Sequence, residues 1–217
     1  MNNSDSNGHA ASERIDVPKP LTDEQVRFFV EQGYLVVPDL ITPAEIEELR
    51  DDTVHLARGG YPCESLRPLP ETMSDEEVLK NILCIQQLHN ISPVSLKYVK
   101  HPKICGILSQ IVAAHLPFWD GSVKCMQSML FVKPPTFQGQ AWHQDEDYIP
   151  TRDRSLLGAW IALDRATQEN GCLWVLPGSH RHGILWEQQW HGDRRFDCAE
   201  PSVDFPYCDD EAIPVEV

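Results

Sequence analysis

Apolar residues recur at helical spacing in the first half of the chain and alternate with polar ones in the second. Thr22-Asp-Glu-Gln25 is a capping box, and Val26, Phe28, Phe29 and Val30 follow before Gly33, predicting a short helix. Tyr34–Val37 reads as a strand. Thr42-Pro-Ala-Glu45 is a second capping box with Pro43 at the first helical position, and a stripe of Ile46, Leu49, Val54 and Leu56 runs to Gly59-Gly60. Residues 61–73 read as loop, and Ser74-Asp-Glu-Glu77 caps a further short helix. Ser92-Pro93 and His101-Pro102 open two consecutive helices, the second carrying Ile104, Ile107, Leu108, Ile111 and Val112 at a 3.6-residue period.

From Val123 the period changes to two. Val123, Cys125, Gln127, Met129 and Phe131 alternate with Lys124, Met126, Ser128, Leu130 and Val132 until Pro134-Pro135. Trp142–Tyr148, Leu156–Leu163, Cys172–Leu176 and Ile213–Val217 predict further short strands, the third entered through the turn Glu169-Asn-Gly171. Residues 187–210 are polar and irregular. Helices first and short strands second predict a mainly β fold with flanking α-helices. Short strands around a site point to a jelly roll, which takes about eight strands. Fewer are legible here, so the barrel is expected to be incomplete at its C-terminal end.

Length and composition add bounds. A chain of 217 residues with 41% hydrophobic content is sized for one domain. A formal charge of −15 disfavours nucleic acid and an anionic membrane surface as partners. The seven cysteines are odd in number and form no Cys-x-x-Cys, which fits a reducing compartment, the cytoplasm, rather than a disulfide framework or zinc site. Residues 1–20 are polar and read as a disordered lead-in, leaving 21–217 as the domain. No apolar run is long enough to span a bilayer. The oligomeric state has no signature.

The candidate chemistry lies in Gln140–Tyr148. On a strand, His143 and Asp145 face the same side. An imidazole beside a carboxylate is two thirds of the 2-His-1-carboxylate triad that holds Fe(II) with positions left open. Trp142 and Tyr148 offer an apolar wall, Asp147 is a rival ligand on the same face, and Gln144 and Glu146 face away. His-x-Asp alone arises by chance, and the chain holds a second copy, His191-Gly-Asp193, in a stretch that reads as solvated loop. On these residues alone, a ligand-binding jelly roll without iron stays open as an alternative.

Four runs carry a resemblance: Ser128-Met-Leu-Phe-Val-Lys-Pro-Pro135, Trp142-His-Gln-Asp145, Gly158-Ala-Trp-Ile-Ala-Leu163 and Asn170-Gly-Cys-Leu-Trp-Val-Leu-Pro-Gly-Ser-His180. In order and spacing they resemble the phytanoyl-CoA dioxygenase family, over roughly residues 21–217. The resemblance implies a double-stranded β-helix (jelly-roll, cupin-like) oxidoreductase. It would use Fe(II), O₂ and 2-oxoglutarate to hydroxylate a small-molecule substrate, with release of succinate and CO₂. His143 and Asp145 match the first two iron ligands. Met129 and Trp160 match positions lining the 2-oxoglutarate pocket, with core packing as the alternative, and Gln144 matches a supporting residue. His180 reads as a structural polar residue near a turn, and no lysine near Ile85–Gln87 matches one that holds the co-substrate in some members. A carboxylate at 145 implies hydroxylation, because related halogenases carry a small residue there. The family's second histidine and its 2-oxoglutarate-binding arginine are expected beyond Val217. The chain is therefore expected to be a fragment of a longer oxygenase or, alternatively, a catalytically inactive relative acting as a binding or structural protein.

Overall fold

Three reciprocal caps decide where the early helices begin. In the computed structural model, which describes residues 19–217 apart from 64, 65, 117, 182, 184 and 198–200, Thr22 Oγ1 accepts from Gln25 N at 3.2 Å while Gln25 Oε1 accepts from Thr22 N at 2.9 Å. Helix α1 (Asp23–Gln32) starts there and ends at Gly33, whose φ of 82° suits glycine. Thr42 with Glu45 opens α2 (Pro43–Ala57), and Ser74 with Glu77 opens α3 (Asp75–Lys80), as the sequence predicts. Helices α4 (Pro93–Val99) and α5 (Pro102–His115) each begin on a proline, whose missing N–H lies where a helix has no use for it. The lead-in expected at the N-terminus lies, up to residue 18, outside the described residues.

The main core gathers Leu56, Val78, Ile82, Ile85 and Leu88, with Leu130 and Val132 packed against it. Each such side chain, when buried, contributes about 1.5–3 kcal/mol. A second cluster joins Leu21 to Ile107 and Ile111, binding α1 to α5. Between α2 and α4 sits a buried carboxylate. Asp52 accepts from Tyr61 Oη at 2.6 Å, Ser92 Oγ at 2.5 Å and Ser95 Oγ at 3.4 Å. Ser92 Oγ also accepts from Ser95 N at 3.0 Å, so Asp52 steadies the N-cap of α4.

The described strands form two antiparallel pairs. β1 (Cys84–Gln86) pairs with β2 (Met129–Phe131), Ile85 opposite Leu130. β3 (Leu173–Val175) pairs with β4 (Ile213–Val215), Trp174 opposite Pro214. Alternation sends Leu130 and Val132 to the helical core and leaves Met129 and Phe131 38% and 53% exposed on the other face. Tyr34–Val37 and Leu156–Leu163, also predicted as strands, pair with no neighbour and form no ladder.

A third predicted strand is corrected as well. Trp142–Tyr148 does not form a strand; Gln144 is extended, and the chain then makes one helical turn, α6 (Asp145–Tyr148). Three consecutive acidic residues fill that turn, where carboxylates suit a helix N-terminus and suit a sheet poorly.

A late turn closes the first helix. The last carbonyls of α1 have no partners within the helix. Gly178 N donates to Gln32 O at 2.8 Å, His180 Nε2 to Val30 O at 3.0 Å and Arg181 Nε to Glu31 O at 2.8 Å. A Cβ on Gly33 would fall 2.4 Å from His180 Nδ1, so close approach as well as φ demands glycine there.

Candidate metal centre

His143 and Asp145 do converge. Gln144 between them is extended (φ −116°, ψ 121°), which is all that the i, i+2 geometry requires. His143 Nε2 lies 3.3 Å from Asp145 Oδ1. His143 Nδ1 lies 2.8 Å from Ala141 O, and a carbonyl can only accept, so Nδ1 carries the hydrogen. In the neutral ring, Nε2 therefore turns a lone pair toward an anionic oxygen. That arrangement is repulsive until a proton or a cation enters between them.

Asp145 favours a proton on that nitrogen. The bond to Asp145 raises the pKa of His143 above its ordinary value, against the opposing pull of burial. The same bond holds the Asp145 carboxyl below its ordinary range. A divalent ion also fits this donor set. Bonds of about 2.0–2.2 Å put adjacent octahedral donors about 3 Å apart, close to the observed 3.3 Å. The fixed tautomer is the one that a metal-ligating histidine uses when its other nitrogen donates to a carbonyl.

The surroundings are asymmetric. The Tyr148 ring meets His143 edge-on, with centroids 5.8 Å apart. Asp145 Oδ2 rests over Gly158, 3.5 Å from where a Cβ would stand. The Asp145 side chain is 62% exposed and that of His143 only 25%, so the pair opens to one side. Met129 and Trp160 are 38% and 50% exposed, which is not the burial that core packing would give them.

Other candidates are engaged elsewhere. Gln144 Oε1 accepts from Trp186 N at 2.8 Å, tying the site to the 185–190 segment. His180 caps α1. In the second His-x-Asp, Asp193 is held by the Arg195 guanidinium, which pulls its carboxyl down to about 2. Asp147 is pushed up by burial, and among the described residues no group of three His, Cys, Asp or Glu side chains is placed to hold a metal. Asp147 thus does not complete the pair. Sequence reasoning missed Glu146, whose carboxylate accepts from Thr151 N at 2.6 Å, Thr151 Oγ1 at 2.5 Å and Leu156 N at 3.2 Å. Nothing in the spacing of Glu146, Thr151 and Leu156 marks them as partners.

Comparison with known proteins follows these residues. A family model described as phytanoyl-CoA dioxygenase matches residues 29–217. Phytanoyl-CoA dioxygenase 1 of Oryza sativa subsp. japonica is 29% identical, over 91% of this chain and 77% of the rice protein. A probable phytanoyl-CoA dioxygenase of Caenorhabditis elegans is 27% identical, with 84% and 64% covered. The peroxisomal phytanoyl-CoA dioxygenase of Homo sapiens is 29% identical, and the chain covers 49% of its length. The fold is shared with EvdO2 from Micromonospora carbonacea var. aurantiaca, solved in complex with 2-oxoglutarate. The TM-score is 0.57 at 21% identity, covering 91% of this chain and 77% of that one. Among the described residues no helix is long and apolar enough to cross a membrane.

Proposed function

The chain belongs to the phytanoyl-CoA dioxygenase family, and from that premise we propose that it is an Fe(II)- and 2-oxoglutarate-dependent oxygenase on a double-stranded β-helix, hydroxylating a small organic substrate. The observation that carries this is the His143–Asp145 pair, an acceptor nitrogen and a carboxylate 3.3 Å apart with the tautomer already set. Fe(II) held there would supply the O₂ chemistry, with 2-oxoglutarate leaving as succinate and CO₂. The chain's own residues do the rest. Ala141 O keeps the His143 proton on Nδ1 and leaves Nε2 to bind. Asp145 stays ionised, as a ligand must. Tyr148 covers one edge of the imidazole. Met129 and Trp160 present apolar surface to the co-substrate, and Gln144 supports the pair by anchoring the segment that follows Trp186. The charge of −15 speaks against a substrate carrying several phosphates. The cytoplasm is the proposed location, and imaging of the tagged chain in cells decides it against the peroxisome named for the human relative.

One observation favours a second reading, a catalytically inactive relative that binds rather than turns over. Among the described residues no third ligand joins the pair. Supplying Fe(II), 2-oxoglutarate, ascorbate and a panel of small substrates separates the two readings. Succinate release that disappears in His143→Ala supports the oxygenase. No succinate with any substrate, together with intact metal binding, supports the inactive relative.

A further inference from the structure

We propose that Glu146 is the positioning residue of the metal centre, its carboxylate fixing the turn that aims Asp145. The inference rests on the metal-site reading above and extends it to a residue that touches neither His143 nor Asp145 through its side chain. Helix α6 has four residues. A segment that short does not hold its own shape, since isolated helices below about 12–15 residues are marginal in water. Something outside it must set the direction of Asp145. The Asp145 carboxylate is too exposed to be wedged in place, and its described bonding partner is His143.

Glu146 provides the missing restraint. One carboxylate oxygen takes both the amide and the hydroxyl of Thr151, and the other takes the amide of Leu156. The Thr151 hydroxyl in turn accepts from Ser155 N at 3.0 Å. The loop after α6 is thus folded back onto Glu146 at both its beginning and its end. Two residues after Leu156 comes Gly158, the seat of Asp145 Oδ2. The backbone of Asp145 and the surface on which its carboxylate rests are therefore joined through one side chain. Partners that orient a metal ligand change metal affinity by about 10–100-fold when removed.

The test is an Mn(II) titration of the full chain, followed by electron paramagnetic resonance well below the unfolding temperature. Wild type, His143→Ala, Glu146→Gln and Glu146→Ala are compared. Glu146→Ala is expected to weaken Mn(II) about tenfold or more, with Glu146→Gln, which keeps one acceptor oxygen, between it and wild type. A role in stability alone lowers the unfolding midpoint but leaves the affinity of the folded chain unchanged, and that result overturns the proposal. If wild type fails to bind Mn(II), or binds it equally well as His143→Ala, the metal-site reading fails and this inference falls with it. If the Glu146 variants do not fold, Thr151→Val removes the hydroxyl's two bonds, to Glu146 and from Ser155 N, and keeps the two backbone amides on Glu146. A several-fold weaker Mn(II) affinity then supports the proposal, and an unchanged one overturns it.

Discussion

Acid should displace a divalent ion from the His143–Asp145 pair one proton at a time. Nδ1 already holds its hydrogen against Ala141 O at 2.8 Å, so an added proton can settle only on Nε2, the atom that faces Asp145. Proton and metal compete for that single position. The bond to Asp145 lifts the His143 pKa above its ordinary value, so the competition sets in at higher pH than it would for a free imidazole. Below the shifted value, the apparent dissociation constant for Mn(II) should rise tenfold per pH unit, about 1.4 kcal/mol each. The metal-free chain responds in the opposite sense. A raised His143 pKa gives stability that is complete below 6.5 and is lost as pH climbs through the folded value. A lowered Asp145 pKa gives stability that is present above 3.8 and is lost as pH falls through the folded value. The hydrogen-bonded pair therefore helps most between those limits. With Asp145 62% exposed, the gain stays under about 1 kcal/mol. Mn(II) titrations at constant ionic strength from about pH 5.5 to 7.5 read the slope directly. In Asp145→Asn the affinity should drop and the break should move to lower pH. A flat affinity across that range, or a break that ignores Asp145→Asn, would refute the reasoning.

Three further outcomes follow from the scaffold. Asp52→Ala strips Tyr61 and Ser92 of a buried acceptor and should cost about 1–3 kcal/mol in a urea melt; a loss under about 0.5 kcal/mol counts against the node. Thr42→Ala removes the N-cap of α2 and should cost about 1 kcal/mol in the same assay. Gln144→Ala frees the Trp186 amide, and hydrogen exchange there should speed up about fivefold, the equivalent of one ordinary hydrogen bond.

What could be read beforehand was what neighbours decide. Thr22, Thr42 and Ser74 bond to residues three positions on, so helix starts are written locally. Strands depend on distant partners. The alternation from Val123 to Val132 is long, yet only Met129–Phe131 finds a ladder, because its partner Cys84–Gln86 is that short. The segment after Trp142 reads as strand but turns helical at Asp145, and His143 and Asp145 converge all the same because only Gln144 has to be extended. The clamp on Glu146 and the cap supplied by His180 join residues whose spacing carries no period, and periodicity is blind to them.

The end of α1 has a bearing on synthesis. Val30 and Glu31 leave the ribosome about 150 residues before the His180 and Arg181 side chains that bond to their carbonyls. At about 5–20 residues per second, that interval lasts roughly 8–30 s. Throughout it those carbonyls lack these partners although α1 can already pack on α5, so the tail of the opening helix is completed late.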